Sequence, residues 1–192
     1  MIVKKGKLVR DSGWKSNTIV PDYGRFLAAL MKKEFNEQSI GIEYLAVGNW
    51  GTGNDPAAFR DLLCNYFKWL NAPDHIENGK FLPYVETDRW VWAKPVEDME
   101  YLNEDDVEVL EEITNKLKIE VIIKEDEPSQ ETFDFKEFAL LGITKNGTFN
   151  TNHLFLINYV CHGQITKDNT MALTRTIRLT FPINTNEEEN NG

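Results

Sequence analysis

The sequence predicts an α+β fold, with two amphipathic helices in the N-terminal half and an antiparallel, sandwich-like sheet in the C-terminal part. Apolar residues recur at steps of three and four over residues 23–35 and again over 59–70, the spacing of one buried helical stripe. Beyond residue 116, four runs alternate or stay apolar over strand lengths, and Lys145-Asn-Gly147 supplies a tight turn between two of them. The 192 residues suit a single domain, in which about 70% of the unfolded surface is buried and neither a disulfide nor a metal is required.

The first twenty residues form a polar, basic arm carrying Lys4, Lys5, Lys7 and Arg10, with Trp14 as its large anchor. Pro21 and Asp22 open the first predicted helix, whose stripe is Tyr23, Phe26, Leu27, Leu30, Met31 and Phe35. Over 39–47, Ile40, Ile42, Tyr44 and Ala46 alternate with Gly41, Glu43, Leu45 and Val47, a strand entering a covered sheet. A loop containing Gly48, Gly51 and Gly53 follows. Asp55 then caps the second helix, and Pro56 occupies its first position, where no backbone donor is needed. Phe59, Leu62, Leu63, Tyr66, Phe67 and Leu70 trace its stripe.

Residues 71–106 read as an insertion or long loops, with 81–84 extended and Trp90 and Trp92 on one face of a strand. The acidic stretch around Val107, Val109 and Leu110 suits a short helix or an exposed strand. After it, Leu117, Ile119, Val121 and Ile123 define one strand and residues 133–143 a second. The nearly all-apolar run 154–161 reads as a central strand. Leu173, Arg175, Ile177, Leu179 and Phe181 share the face of a fourth. Four strands in succession with short turns imply an antiparallel sheet, one half of a sandwich. The domain spans 21–183, and 184–192, with Glu187, Glu188 and Glu189, is an acidic, solvated tail.

Charge narrows the partners. Lys and Arg number 21 against 31 Asp and Glu, a net charge of −10, so phosphate backbones and anionic lipids repel the chain. Neither nucleic acid nor membrane is expected as a partner. No run approaches the ~18 apolar residues of a membrane span. The basic start lacks the apolar stretch of a signal peptide, which predicts synthesis in the cytoplasm. Cys64 and Cys161 make no disulfide framework and are expected as reduced, buried thiols.

Candidate chemistry is sparse. Gly48, Gly51 and Gly53 follow a strand and precede a helix, as a phosphate cradle would, but match neither a dinucleotide fingerprint nor a P-loop, and Asp55 places a carboxylate there. A turn needing positive φ explains the same glycines. His75, His153 and His162 are scattered, and the acidic run 104–106 lacks the spacing of a calcium loop. No metal and no cofactor is expected. Cys161 and His162 are adjacent and so point to opposite faces of a strand, which rules out a nucleophile pair from these two neighbours; Cys64 with a distant histidine stays open, with burial in the helix stripe the favoured reading. Glu137 shares a face with apolar neighbours, so alternation buries it. A buried carboxylate marks either an active site or a structural bond, and with no second acid at suggestive spacing the structural role is favoured, with Arg175 the first partner to test. Trp90 and Trp92 either stack on sugar rings and anchor a partner or pack in the core.

The order of these elements resembles a family of bacteriophage tail and baseplate-associated structural proteins. The resemblance is carried by Ile42-Glu-Tyr-Leu-Ala-Val-Gly48 with its Gly-Thr-Gly loop, Phe135-Lys-Glu-Phe-Ala-Leu-Leu-Gly142, Ile165-Thr-Lys167 and Leu173-Thr-Arg-Thr-Ile-Arg-Leu-Thr-Phe181. It covers residues 24–181. Ala139 and Leu140 stand where the family prefers Gly-Leu. The resemblance implies a non-enzymatic virion component: a tail, baseplate or fibre-attachment protein, or its counterpart in a phage-derived contractile injection machine. It implies no catalytic residues, and carries Gly48, Gly51, Gly53, Glu137, Gly142 and Lys167 as fold-defining positions. Trp14, Trp90, Trp92, Lys4, Lys5 and Arg10 are the candidate contact residues. A basic arm meeting an acidic face of a neighbour would join copies into an oligomer or ring. The alternative is a receptor- or carbohydrate-binding module of such a particle using Trp90 and Trp92.

Overall fold

The computed structural model describes residues 2–4, 7–10, 18–19, 41–50, 55–70, 76–77, 80–109, 114, 116–129, 131–143 and 154–180. Along the chain run β1 (Ile2–Lys4), β2 (Lys7–Arg10), β3 (Thr18–Ile19), β4 (Tyr44–Gly48), α1 (Pro56–Leu70), β5 (Ile76–Glu77), β6 (Lys80–Phe81) and β7 (Tyr84–Glu86). Then follow β8 (Arg89–Pro95), β9 (Asp98–Leu102), β10 (Glu108–Val109), β11 (Lys116–Ile123), β12 (Phe133–Ile143), β13 (Leu154–Lys167) and β14 (Met171–Thr180). One six-stranded sheet has the order β10-β9-β11-β14-β1-β2 and the other β3-β13-β12-β4-β8-β7, every pairing antiparallel; β5 and β6 pair separately. We call the first two sheets A and B.

Sheet A is one-sided. Cross-strand partners share a face, and Ile119 with Ile177 and Ile123 with Leu173 fall on the buried one. Lys118 with Arg178 and Glu120 with Thr176 fall on the other, where Lys118 binds Glu100 and Glu108 and Asp106 takes Lys116 and Arg178. Sheet B is covered on both sides, which is why β12 is buried almost throughout and shows no clean alternation. Phe138, Leu140, Val47 and Trp92 face sheet A. On the opposite face Ala93, Ala46, Ala139 and Tyr159 form one cross-strand row. The small side chains let α1 come down on this row. Phe59 of α1 sits with its ring centroid 5.4 Å from that of Tyr159, and the Ala93 N–H donates to the Tyr66 hydroxyl at 3.3 Å. One apolar core runs through both sheets and the helix.

The α+β assignment is therefore corrected. The described chain is mostly β, with one helix, and strands begin at residue 2. The predicted helix over 21–35 lies outside the described residues. The predicted second helix is α1, and Asp55 caps it as expected, its Oδ1 accepting from Ala57 N at 3.0 Å and Ala58 N at 3.1 Å. Residues 1–20, read as an arm, contribute β1 to sheet A beside β14 and β3 to sheet B beside β13. Residues 71–106, read as an insertion, supply β8 in the interior of sheet B and β9 in sheet A. The cause is physical. Strands of two to five residues are too short to show a period, and β8 is buried on both faces, so it has no polar side to alternate with.

Candidate functional site

The buried acid Glu137 lies at the centre of the region where β4 runs into the loop before α1. It is 0% exposed and pairs with Gly48 across the β12–β4 ladder. Its Oε1 accepts the Trp50 N–H at 3.1 Å and its Oε2 accepts the Tyr159 hydroxyl at 2.7 Å. The Cys161 thiol in turn donates to the Tyr159 oxygen at 3.0 Å. A phenol has one proton, and here it goes to the carboxylate, so the thiol hydrogen points at the phenol. Burial, the Cys161 bond and the adjacent Glu137 charge all hold the Tyr159 hydroxyl well above the ordinary tyrosine range. The chain of bonds ties β12, β13 and the residue after Gly48 together.

Gly48 is required by close approach, not by a left-handed turn. A Cβ there would lie 2.8 Å from Glu137 Oε1, 2.9 Å from the Phe59 ring and 3.0 Å from the Trp90 carbonyl oxygen. The positive-φ expectation is thereby corrected for Gly48, which ends a strand; Gly51 and Gly53 lie outside the described residues. Gly48→Ala is expected to cost about 2 kcal/mol, because the nearest atoms are a hydrogen-bonded carboxylate, the buried Phe59 ring and a backbone oxygen. Thermal unfolding followed by circular dichroism should show a Tm lower by about 4–8 °C; an unchanged Tm would contradict the close packing.

Outside this anchor the surface forms a knuckle. Thr87 and Asp88 make the turn between β7 and β8, with Thr87 held at φ 62°, a conformation that β-branched residues rarely adopt. Asn49 clamps the turn, donating from Nδ2 to the Asp88 carbonyl at 3.0 Å and accepting the Trp90 N–H on Oδ1 at 2.9 Å. The Arg89 guanidinium lies 3.6 Å from the centre of the half-buried Trp50 ring. The sequence pointed to Trp90 and Trp92 and missed Trp50. Its only signal was a tryptophan in a glycine-rich loop.

Other expectations are redirected. Trp90 and Trp92 are only 7% and 3% exposed. Trp90 meets Phe133 and Phe135 edge-on at 4.9 and 5.2 Å, and the Trp92 N–H donates to the Phe81 carbonyl at 2.9 Å. Stacking on a sugar needs an open ring face, and neither has one. Arg175 does not face Glu137. Its guanidinium lies across the Phe138 ring at 4.8 Å, on the opposite side of sheet B, and donates to His162 Nε2 at 2.9 Å. An acceptor Nε2 means a neutral imidazole, with its proton on Nδ1 toward the Gly163 carbonyl at 2.7 Å. Cys161 and His162 do point to opposite faces. Cys64 is buried and Cys161 half-buried, and both are free thiols.

Lys167, 3% exposed, donates to the Glu125 carbonyl at 3.0 Å, and burial lowers its pKa against the pull of surrounding carboxylates. Gly142 pairs with Phe155 inside the β12–β13 ladder. Of the candidate contact residues, Lys4 and Arg10 stand in β1 and β2, while Trp14 and Lys5 lie outside the described residues. The acidic run 104–106 is a turn followed by β10, not a helix. Among the described residues no three His, Cys, Asp or Glu side chains converge as a metal site requires. No described helix is long and apolar enough to cross a membrane. A groove between the β8–β9 connection and β11 holds about 140 Å³, against the ~300–1,000 Å³ of a small-molecule site. No family model, curated protein or solved structure matches this chain.

Proposed function

We propose that this chain is a structural subunit of a phage tail, baseplate or fibre-attachment assembly, or of a phage-derived contractile injection machine, working through protein–protein contacts within the virion. The observation that carries the reading is the meeting of Gly48 and Glu137. Both belong to the motifs on which the resemblance rests, they are far apart in sequence, and they touch at a point where each explains the other. Lys167, from a third motif, is likewise buried against backbone. The motif positions thus behave as framework.

A framework role also accounts for the acid that an enzyme reading would need. Both oxygens of Glu137 are occupied and none of the residue reaches solvent. The rigid knuckle offers Trp50 and Arg89 together, and these are residue types that anchor protein interfaces. The test is to identify the proteins encoded beside this one and to look for the chain in purified particles by mass spectrometry and antibody-gold labelling. Tail tube, sheath or baseplate neighbours and specific labelling are expected. Neighbours of other kinds, with no chain in the particles, would overturn the reading.

A further inference from the structure

The turn after β9 and the short β10 together span residues 103–109, and no residue among them is buried. β10 pairs with β9 at Glu108–Leu102 and Val109–Tyr101. The turn closes on itself: the Asn103 N–H donates to the Val107 carbonyl at 2.8 Å, and Asn103 Oδ1 accepts the N–H groups of Asp105 and Val107, both at 2.9 Å. Charge ties it to the rest of sheet A. Asp106 accepts Lys116 Nζ on Oδ1 at 3.1 Å and Arg178 on Oδ2 at 3.0 Å, so one carboxylate links the turn to both β11 and β14. Lys116 Nζ also donates to the Glu104 carbonyl at 2.9 Å, and Lys118 is shared between Glu108 and Glu100. Asp106 takes up this position at φ 61°, in the left-handed region that L-residues enter at a cost.

An element that buries little apolar surface is among the first to open, and exposed ion pairs are individually weak and screened by salt. We propose that residues 103–109 form a clasp, held shut on the outer face of sheet A by Lys116, Lys118 and Arg178, which opens in acid or high salt while the two sheets stay folded. Released from its cations, Asp106 leaves the left-handed region, and the turn bonds of Asn103 and Val107 go with it. The surrounding charges fix the direction. Lys116 and Lys118 of β11 and Arg178 of β14 face Asp106 and Glu108; Glu100 of β9 shares Lys118, and Glu104 and Asp105 add like charge on the turn. The Lys116 bond, with Arg178 adding to it, holds the Asp106 carboxyl below the ordinary carboxylate range, and the Lys118 bond does the same for Glu108. A carboxyl lowered in this way contributes above its unfolded value and ceases to as pH falls through the lowered one. The clasp is therefore shut at neutral pH and opens below about pH 4. Opening takes from Lys116 and Arg178 the carboxylate they share, and from Lys118 one of its two. The inference goes beyond the structural-subunit reading and does not depend on it.

Hydrogen–deuterium exchange on the full chain, resolved by residue with NMR at neutral pH, tests it. Between about 0.02 M and about 0.5 M salt, where screening reaches contact distances, the Asn103, Asp106 and Val107 amides should exchange about five- to tenfold faster. The amides of β12 and β13 should keep their protection. Asp106→Asn with Glu108→Gln removes both charges at nearly unchanged shape, and asparagine enters the left-handed region as readily as aspartate, so the variant separates charge from strain. It should exchange fast at 103–109 already in low salt and show no further response to salt. In acid, the wild-type resonances of 103–109 should collapse toward those of an unfolded segment below about pH 4, with β12 and β13 still folded. Wild-type exchange at 103–109 that ignores salt, a double variant as protected there as wild type, or a segment that opens only together with β12 and β13 would overturn the proposal.

Discussion

Glu137→Ala is expected to lower the Tm by about 8–16 °C, the largest effect of any single substitution in the β4–β12 region. The substitution leaves the part-buried Trp50 N–H and the buried Tyr159 O–H without their acceptor. Each such loss costs about 1–3 kcal/mol, and the cavity left by the side chain adds to it, for a total near 4 kcal/mol. At roughly 2–4 °C per kcal/mol for a chain of this size, the shift follows. Glu137→Gln keeps one acceptor oxygen but turns an amide N–H₂ toward one of the two donors, so it should fall between wild type and alanine. Calorimetry on the three proteins checks the order. If Glu137→Ala melts as wild type does and some hydrolytic activity disappears instead, the acid is catalytic and the framework reading is wrong.

Lys94→Met should come close behind, at about 3 kcal/mol. Lys94 in β8 and Glu127 in the β11–β12 connection form an ion pair at 2.6 Å whose side chains are only 7% and 12% exposed. Glu127 also accepts the Lys124 N–H at 2.8 Å, so the pair fastens that connection onto sheet B. Removing one member strands the other charge in a poorly hydrated position, which is why breaking a buried pair costs more than the pair itself contributes. The double variant Lys94→Met/Glu127→Gln should therefore recover much of the loss. Urea unfolding of wild type, both singles and the double gives the coupling directly; additive losses would mean that the two side chains do not act as a pair.

These residues show how differently parts of the molecule could be read in advance. Helix α1 was legible because its cap, its proline and its apolar stripe are all local, and Asp55 bonds to Ala57 and Ala58 as its position implies. Strands β11, β12 and β14 were legible because they are long. Glu137 is buried as expected, though not by alternation: sheet B is covered on both sides and the β12–β13 register shifts between Phe135 and Glu137; its partners were not legible at all. Trp50 and Tyr159 arrive from two other elements, and Tyr159 looked like one more member of an apolar run. Arg175 was the natural charge to pair with it, yet it reaches β12 from the sheet A side and meets Phe138. Trp90 and Trp92 share a face as read, but that face turns inward.

Periodicity and composition alone determined that the chain is acidic and that its C-terminal third is built of strands; the reading that those four strands pair in succession in one sheet is corrected, since β11 pairs with β14 in sheet A and β12 with β13 in sheet B. Which faces meet was decided only in three dimensions. A strand's period says that two sides differ but not what covers each, and short edge strands carry too few residues to have a period at all. The small row Ala46, Ala93 and Ala139 became a seat for α1, and Gly48 became the space for a carboxylate, because packing joins residues that sequence distance keeps apart.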